Sequence, residues 1–239
     1  MRWSSTNLRP AIASICLILP GALQAQAYQC QPPEGPVSVT WPKPDGPVRK
    51  VAITGYTLAL SWSPEHCRFA KTGADGFQCS GRNGRFGLVL HGLWPEGKGA
   101  NWPQWCPSAR RPSPELVRQT LCLTPSPSLI AHEWAKHGAC MAKTPASYFK
   151  AARILYESLT LPDLDRLSRR TPLTAGMIRE SFAAAFPAFK PEMVGIKLGQ
   201  RGWLEEVHLC YGTDFRPTRC SRGQFGAKDS FSARIWRGL

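Results

Sequence analysis

The sequence predicts an α+β domain, with a central, largely antiparallel sheet, helices packed beside it and disulfides holding it together. Three observations carry that expectation. Short runs of strand-forming residues occupy the first half and the last quarter of the chain, with capped helical runs between them. Eight cysteines remain once an N-terminal leader is set aside, an even number suited to an oxidising compartment. With 239 residues, 43% of them hydrophobic, the chain can build one well-cored domain of the larger sort.

The leader comes first. Arg2 and Arg9 form a basic lead-in, "AIASICLILPGAL" is an apolar run too short to span a bilayer, and "LQAQA" ends in small residues spaced for a signal peptidase. Residues 1–27 therefore read as an export signal, cut after Ala27 or Ala25. Pro20 and Gly21 interrupt the apolar run and argue against an uncleaved anchor. The expected product is soluble, monomeric, free of the membrane, and periplasmic or secreted. Asn7, Asn83 and Asn101 lack the Ser or Thr of an N-glycosylation site, which favours a bacterial periplasm or medium.

Residues 28–50 follow as a lead-in. "QPPEGPVSVTWPKPDGPVRK" has six prolines in twenty residues, so it reads as an extended segment held by Cys30 and not as folded core. Residues 51–239 read as a single domain. Its first strand is "YTLALSW", stopped by Ser63 and Pro64; its second is "RFGLVLHGLW", apolar enough to be central and ending at Pro95. "SPELVRQTLC" and "TPASYFKAARILYESL" each begin with a hydroxyl cap and a proline at the first helical position. A further helix is expected across "TAGMIRESFAAAF", and a hairpin from "MVGIKLGQ" through "GQRG" to "WLEEVHLCYG".

The formal charge is +14, of which Arg2 and Arg9 belong to the leader. Such an excess favours a polyanionic partner, with nucleic acid, anionic glycans and anionic membrane surfaces all open on charge alone. The cysteines left in the mature chain are Cys30, Cys67, Cys79, Cys106, Cys122, Cys140, Cys210 and Cys220. They allow on the order of a hundred pairings, and the absence of any C-x-x-C pair argues against zinc ligation.

Chemistry concentrates in "HEWAKHGAC", residues 132–140. Ser128 is placed to cap a helix running through Leu129 to His137, with Gly138 as its stop. On an α-helix His132 and His137 are about 140° apart, so the i, i+4 spacing that zinc needs is missing. Glu133 with His137, and His132 with Lys136, are i, i+4 pairs, so the four can line one broad face. An exposed helix with solvated histidines competes for any one of these residues alone. The facing partner is His91 in "LVLHGLWPEG", at the end of an apolar strand beside Gly92 and Trp94. A core histidine satisfied by backbone is the competing reading of that motif. His66 and His208 read as ordinary surface or packing residues.

"LVLHGLWP" and "HEWAKHGAC", about forty residues apart, resemble the two active-site segments of the ribonuclease T2 family of secreted endoribonucleases. The resemblance runs from "YTLALSWSPEHC" to "VHLCYG", most of the mature chain. It implies that family's α+β fold, with His91 and His137 as the catalytic pair, His137 as base and His91 as acid, and with Glu133 in the catalytic group. His132, Glu133 and Lys136 would bind and stabilise the reacting phosphate, and Trp94 would stack on a base.

The implied substrate is single-stranded RNA, cleaved with no metal and no cofactor to 2′,3′-cyclic phosphates and then to 3′-phosphates. RNA brings its own nucleophile, the 2′-hydroxyl, so a base and an acid suffice. Some family members have an Asp two residues after the stacking Trp and an aromatic three before the first His of the second segment. Glu96 and Leu129 stand there, which points to a base-binding Glu96 and broad base tolerance. The resemblance also implies Cys67–Cys79, Cys106–Cys140 and Cys210–Cys220, leaving Cys30 for Cys122. A second reading from a different class is a non-catalytic polyanion-binding or toxin-like module on the same fold. The presence of His91, Glu133, Lys136 and His137 together speaks against it.

Overall fold

The computed structural model describes Met1 and residues 27–70, 76–99 and 101–238. The export signal expected over residues 1–27 lies, apart from its two end residues, outside them. The strands are β1 (Ala27–Tyr28), β2 (Gly55–Trp62), β3 (Arg85–Phe86), β4 (Leu88–Glu96), β5 (Val194–Leu198) and β6 (Leu204–Tyr211). The helices are α1 (Ser63–Phe69), α2 (Gly76–Cys79), α3 (Pro114–Thr120), α4 (Pro127–Glu133), α5 (Ala139–Met141), α6 (Pro145–Glu157), α7 (Leu164–Leu167), α8 (Ala175–Ala185) and α9 (Arg222–Phe225). A five-residue π-turn, Trp134–Gly138, joins α4 to α5.

Four strands form one antiparallel sheet in the order β4-β2-β6-β5, and β1 pairs separately with β3. Alternation along each strand gives the sheet two unlike faces. Leu58, Leu60, Trp62, Leu90, Leu93, Ile196, Val207 and Leu209 belong to the hydrophobic core, where they meet Val117, Ile130, Tyr148 and Ile178 from the helices. In register on the opposite face stand Thr57, Ala59 and Ser61 of β2, Gly92 and Trp94 of β4, and Glu206 and His208 of β6. The site is built on this second face.

The structure revises five expectations about the elements. The run from Arg85 to Trp94 is two strands, broken at Gly87, and β4 continues through Pro95 to Glu96. Nor is β4 central. It is an edge strand, where the missing amide of Pro95 costs no ladder bond. Its apolar character follows from what covers its outer edge: Leu90 N–H donates to Leu123 O (2.9 Å), Thr124 and Tyr156 donate to Leu90 O and Leu88 O, and Leu93 N–H donates to the Tyr148 hydroxyl. An edge protected this way exposes no template for another strand.

The cap of α4 is Ser126 and not Ser128. Its hydroxyl accepts from Leu129 N–H, and Pro127 takes the first helical position. Ser113–Pro114, Thr144–Pro145 and Thr174 start α3, α6 and α8 as the sequence predicts. Gly138 does not stop the helix. Its backbone is helical, and a Cβ there would lie 2.6 Å from the Trp134 ring and 2.8 Å from the Tyr148 ring, so the glycine admits close packing.

The structure joins Cys30 to Cys122, Cys67 to Cys79, Cys106 to Cys140 and Cys210 to Cys220. The lead-in is extended, but it is not loose: Val37, Val39 and Trp41 pack against the core. No helix among the described residues is long and apolar enough to cross a membrane.

Candidate active site

A single irregularity in β4 delivers His91. Pairing with β2 runs Ala59 to Gly92 and then Leu60 to Leu90, so His91 is the extra residue of a β-bulge. Without it, alternation would place Leu90 on the polar face. With it, Leu90 returns to the core and the imidazole meets Ser61 and Glu206 on the polar face. Glu206 Oε1 lies 2.6 Å from His91 Nδ1, and Ser61 Oγ is 3.0 Å from the same nitrogen. The other nitrogen, Nε2, faces Glu133 Oε1 at 3.5 Å.

A second irregularity delivers the other histidines. Ala139 N–H reaches back to Trp134 O, an i, i+5 bond, and Trp105 N–H donates to Lys136 O at 2.8 Å. The one-residue widening of a π-turn rephases everything beyond it. His132 and His137 thereby stand in the relation that i, i+4 residues have on an α-helix, and both line one cleft. The 140° separation derived from an α-helix does not describe this segment, so spacing alone no longer speaks against a metal. Among the described residues no group of three or more His, Cys, Asp and Glu side chains is arranged to hold one. The Cys106–Cys140 bridge fastens the far end of the turn.

The cleft has a volume of about 780 Å³ and is lined by all seven residues the sequence singled out: His91, Trp94, Glu96, His132, Glu133, Lys136 and His137. Trp94 stands among the imidazoles, with ring centroids 5.2 Å from His91 and 5.5 Å from His137. Its indole N–H donates to Glu133 Oε2 at 2.7 Å. Glu133 is 2% exposed; Trp94 donates to one carboxylate oxygen, and the other is paired with His91 Nε2 at 3.5 Å. Gly92 makes room for it: a Cβ there would lie 1.8 Å from Glu133 Oε2. Glu96 accepts from Thr57 Oγ1 at 2.6 Å.

The two facing histidines are held in opposite charge states. Burial works against a charged His91, but the hydrogen bonds to Glu133 and Glu206 and their negative charges prevail and raise its pKa to about 10. Burial lowers His137 to about 4; Glu133 opposes this, while Lys136, His132 and His91 add to it. His137 Nδ1 is buried and has no hydrogen-bond partner among the described residues, which further disfavours a ring that would need to donate from both nitrogens. Burial also lowers His132. Burial would raise Glu133, but the hydrogen bond from His91 and the nearby imidazoles hold it below the usual carboxylate range.

The sequence profile of the ribonuclease T2 family matches residues 54–220, well over half of the chain. The chain belongs to the ribonuclease T2 family. It is similar to a probable ribonuclease of Haemophilus influenzae, 35% identical over 183 residues, which cover 72% of this chain and 62% of that protein. It is also similar to a ribonuclease of Aeromonas hydrophila, 41% identical over 97 residues, covering 41% and 42% of the two chains. These matches span less than two thirds of either relative's length. Among solved structures, trichomaglin, described as a novel S-like ribonuclease, superposes with a TM-score of 0.62 over 77% of this chain and 98% of its own, at 19% identity, which shows a shared fold. The T2 family and the four disulfides both fit a secreted or periplasmic protein.

In this T2 protein several residues reach the site without any sequence motif announcing them. Glu206 bridges two histidines, taking His91 Nδ1 on one oxygen and His208 Nε2 (3.0 Å) on the other. Burial would raise its carboxyl, but the bonds from His208 and His91 hold it far below the usual range. His208 is not a surface or general packing residue; it lines the cleft edge-on to Trp94 at 5.2 Å. His66 is exposed and lines a neighbouring cleft. Ser221, Arg222 and Gln224, brought in by α9 beyond the family match, line the outer wall with Lys197. The strand alternation of "LEEVHLC" does signal that Glu206 and His208 share a face. It does not signal what that face meets.

Proposed function

We propose that this chain is a metal-independent endoribonuclease that cleaves single-stranded RNA by transphosphorylation, with broad base tolerance. What carries the reading is the pairing of a neutral histidine, His137, with a protonated one, His91, in the same cleft. His137 takes the proton from the 2′-hydroxyl, whose oxygen attacks phosphorus. The bond from phosphorus to the 5′-oxygen breaks, and His91 gives its proton to that oxygen, leaving a 2′,3′-cyclic phosphate and a free 5′-hydroxyl. Hydrolysis to the 3′-phosphate reverses the two roles, with water attacking. Lys136 and His132 face the charge that builds on the phosphoryl oxygens.

A strand has room on both sides of that phosphate. A second cleft, lined by Thr40, Trp41, Ser126 and Leu129, shares His91 and His132 with the first. Trp94 and Glu96 offer a stacking surface and a hydrogen-bond acceptor to the base in the first cleft. Every group named comes from one chain, so a monomer suffices. The leader over residues 1–27 would export the protein, and residues 51–239 would form its single nuclease domain behind the lead-in of residues 28–50.

The test is to incubate the mature protein with RNA and with DNA of the same sequence in excess chelator. RNA should be cut and DNA left intact, because DNA lacks the 2′-hydroxyl. Cleavage of DNA, or loss of RNA cleavage on chelation, would refute the proposal.

A further inference from the structure

The proline-rich lead-in lies outside the family match, yet one of its side chains touches the catalytic segment. Asp45 Oδ2 accepts from Lys136 Nζ at 2.8 Å, and Asp45 Oδ1 accepts from Trp105 Nε1 at 2.9 Å. The indole donor is itself fixed. Trp105 is 6% exposed, its backbone N–H bonds Lys136 O, and the next residue is the bridged Cys106.

The stretch around Asp45 is bolted down on both sides. Upstream, the Arg111 guanidinium stacks on Trp41 at 4.7 Å. Downstream, Arg49 and Gln104 exchange both backbone hydrogen bonds, and Gln104 Nε2 donates to Pro47 O. Gly46 passes so close to Gln104 that a Cβ would lie 2.9 Å from its amide nitrogen.

We propose that Asp45 is a positioning residue for Lys136, and so that the lead-in completes the active site; this rests on the reading of the cleft given above. A lysine on a four-carbon stem loses much rotamer entropy when it is ordered, and a fixed carboxylate meets that loss before substrate arrives. Lys136 lines the catalytic cleft, whereas Asp45 does not. The carboxylate therefore braces the ammonium from behind and leaves the phosphate's place open. The hydrogen bond from Lys136, helped by the one from Trp105, keeps Asp45 below the usual carboxylate range, so the brace stays charged through the neutral region.

The experiment is a double-mutant cycle on the full mature chain with a fluorogenic oligoribonucleotide, comparing wild type, Asp45→Asn, Lys136→Ala and the double variant. Asparagine keeps the shape and can still accept from Trp105, and an exposed position tolerates it; unchanged melting checks the fold. Asp45→Asn should lower kcat about tenfold with KM within about twofold, the signature of an interaction used in the transition state. In the Lys136→Ala background it should add no further loss. Unchanged or increased kcat in Asp45→Asn, or losses that multiply in the double variant, would overturn the positioning role. Overturned while His137-dependent RNA cleavage persists, the idea about Asp45 falls alone; a wild-type protein that cleaves no RNA takes both readings with it.

Discussion

His137→Phe should lower the rate of RNA cleavage by about 10²–10⁴-fold, the range that a positioned general base supplies, while leaving the protein folded. The ring is 7% exposed and stacks obliquely against Trp94, and its Nδ1 has no hydrogen-bond partner among the described residues. A phenyl ring therefore keeps the packing and strands no buried donor. RNA affinity should barely change, because Lys136, His132 and the basic surface remain. Removing His91 as well should cost far less than the product of the two single losses, since acid and base act on one proton-transfer sequence. Steady-state kinetics with thermal melting decide it: cleavage undiminished in a folded His137→Phe protein would refute the assignment of the base.

Glu206→Gln should draw in the alkaline limb of the pH–rate profile. On the proposed mechanism activity needs His137 neutral and His91 protonated, so the free protein should be active on a broad plateau between the two values of about 4 and about 10. His91 owes its high value to two carboxylates, Glu133 and Glu206. Glutamine can keep a contact with Nδ1 but removes one of the two charges, so the His91 pKa falls. The alkaline limb of kcat/KM then moves toward neutral pH by about a unit or more. The acid limb, set by His137, stays where it was. At pH 7 the variant should be close to wild type, and at pH 9 about twofold or more slower. A uniform loss at every pH would show instead that Glu206 only supports the fold.

Much of this architecture is readable in the sequence because local rules decide it. Ser113–Pro114 and Thr144–Pro145 fix two helix starts, and the alternation in "YTLALSW" and "WLEEVHLCYG" fixes two neighbouring strands of the sheet. The same Ser–Pro rule points to Ser126–Pro127, ahead of Ser128. The bulge at His91 leaves a faint trace in the spacing of Leu88, Leu90 and Leu93, all core residues, where two steps of unequal length replace strict alternation. The π-turn leaves none. It depends on Trp105 meeting Lys136 O and on the Cys106–Cys140 bridge, contacts made across some thirty residues of chain. For the same reason Asp45 and Glu206, 91 and 115 positions from the groups they hold, have no local signature.

On the proposed mechanism a neutral His137 and a protonated His91 drive attack by the substrate's own 2′-hydroxyl. Following the products of a single-stranded RNA by ³¹P NMR tests it most directly. A 2′,3′-cyclic phosphate should appear first and give way slowly to the 3′-phosphate, with every new end on the other side a 5′-hydroxyl. A 5′-phosphate product, or a 3′-phosphate formed with no cyclic precursor, would contradict it.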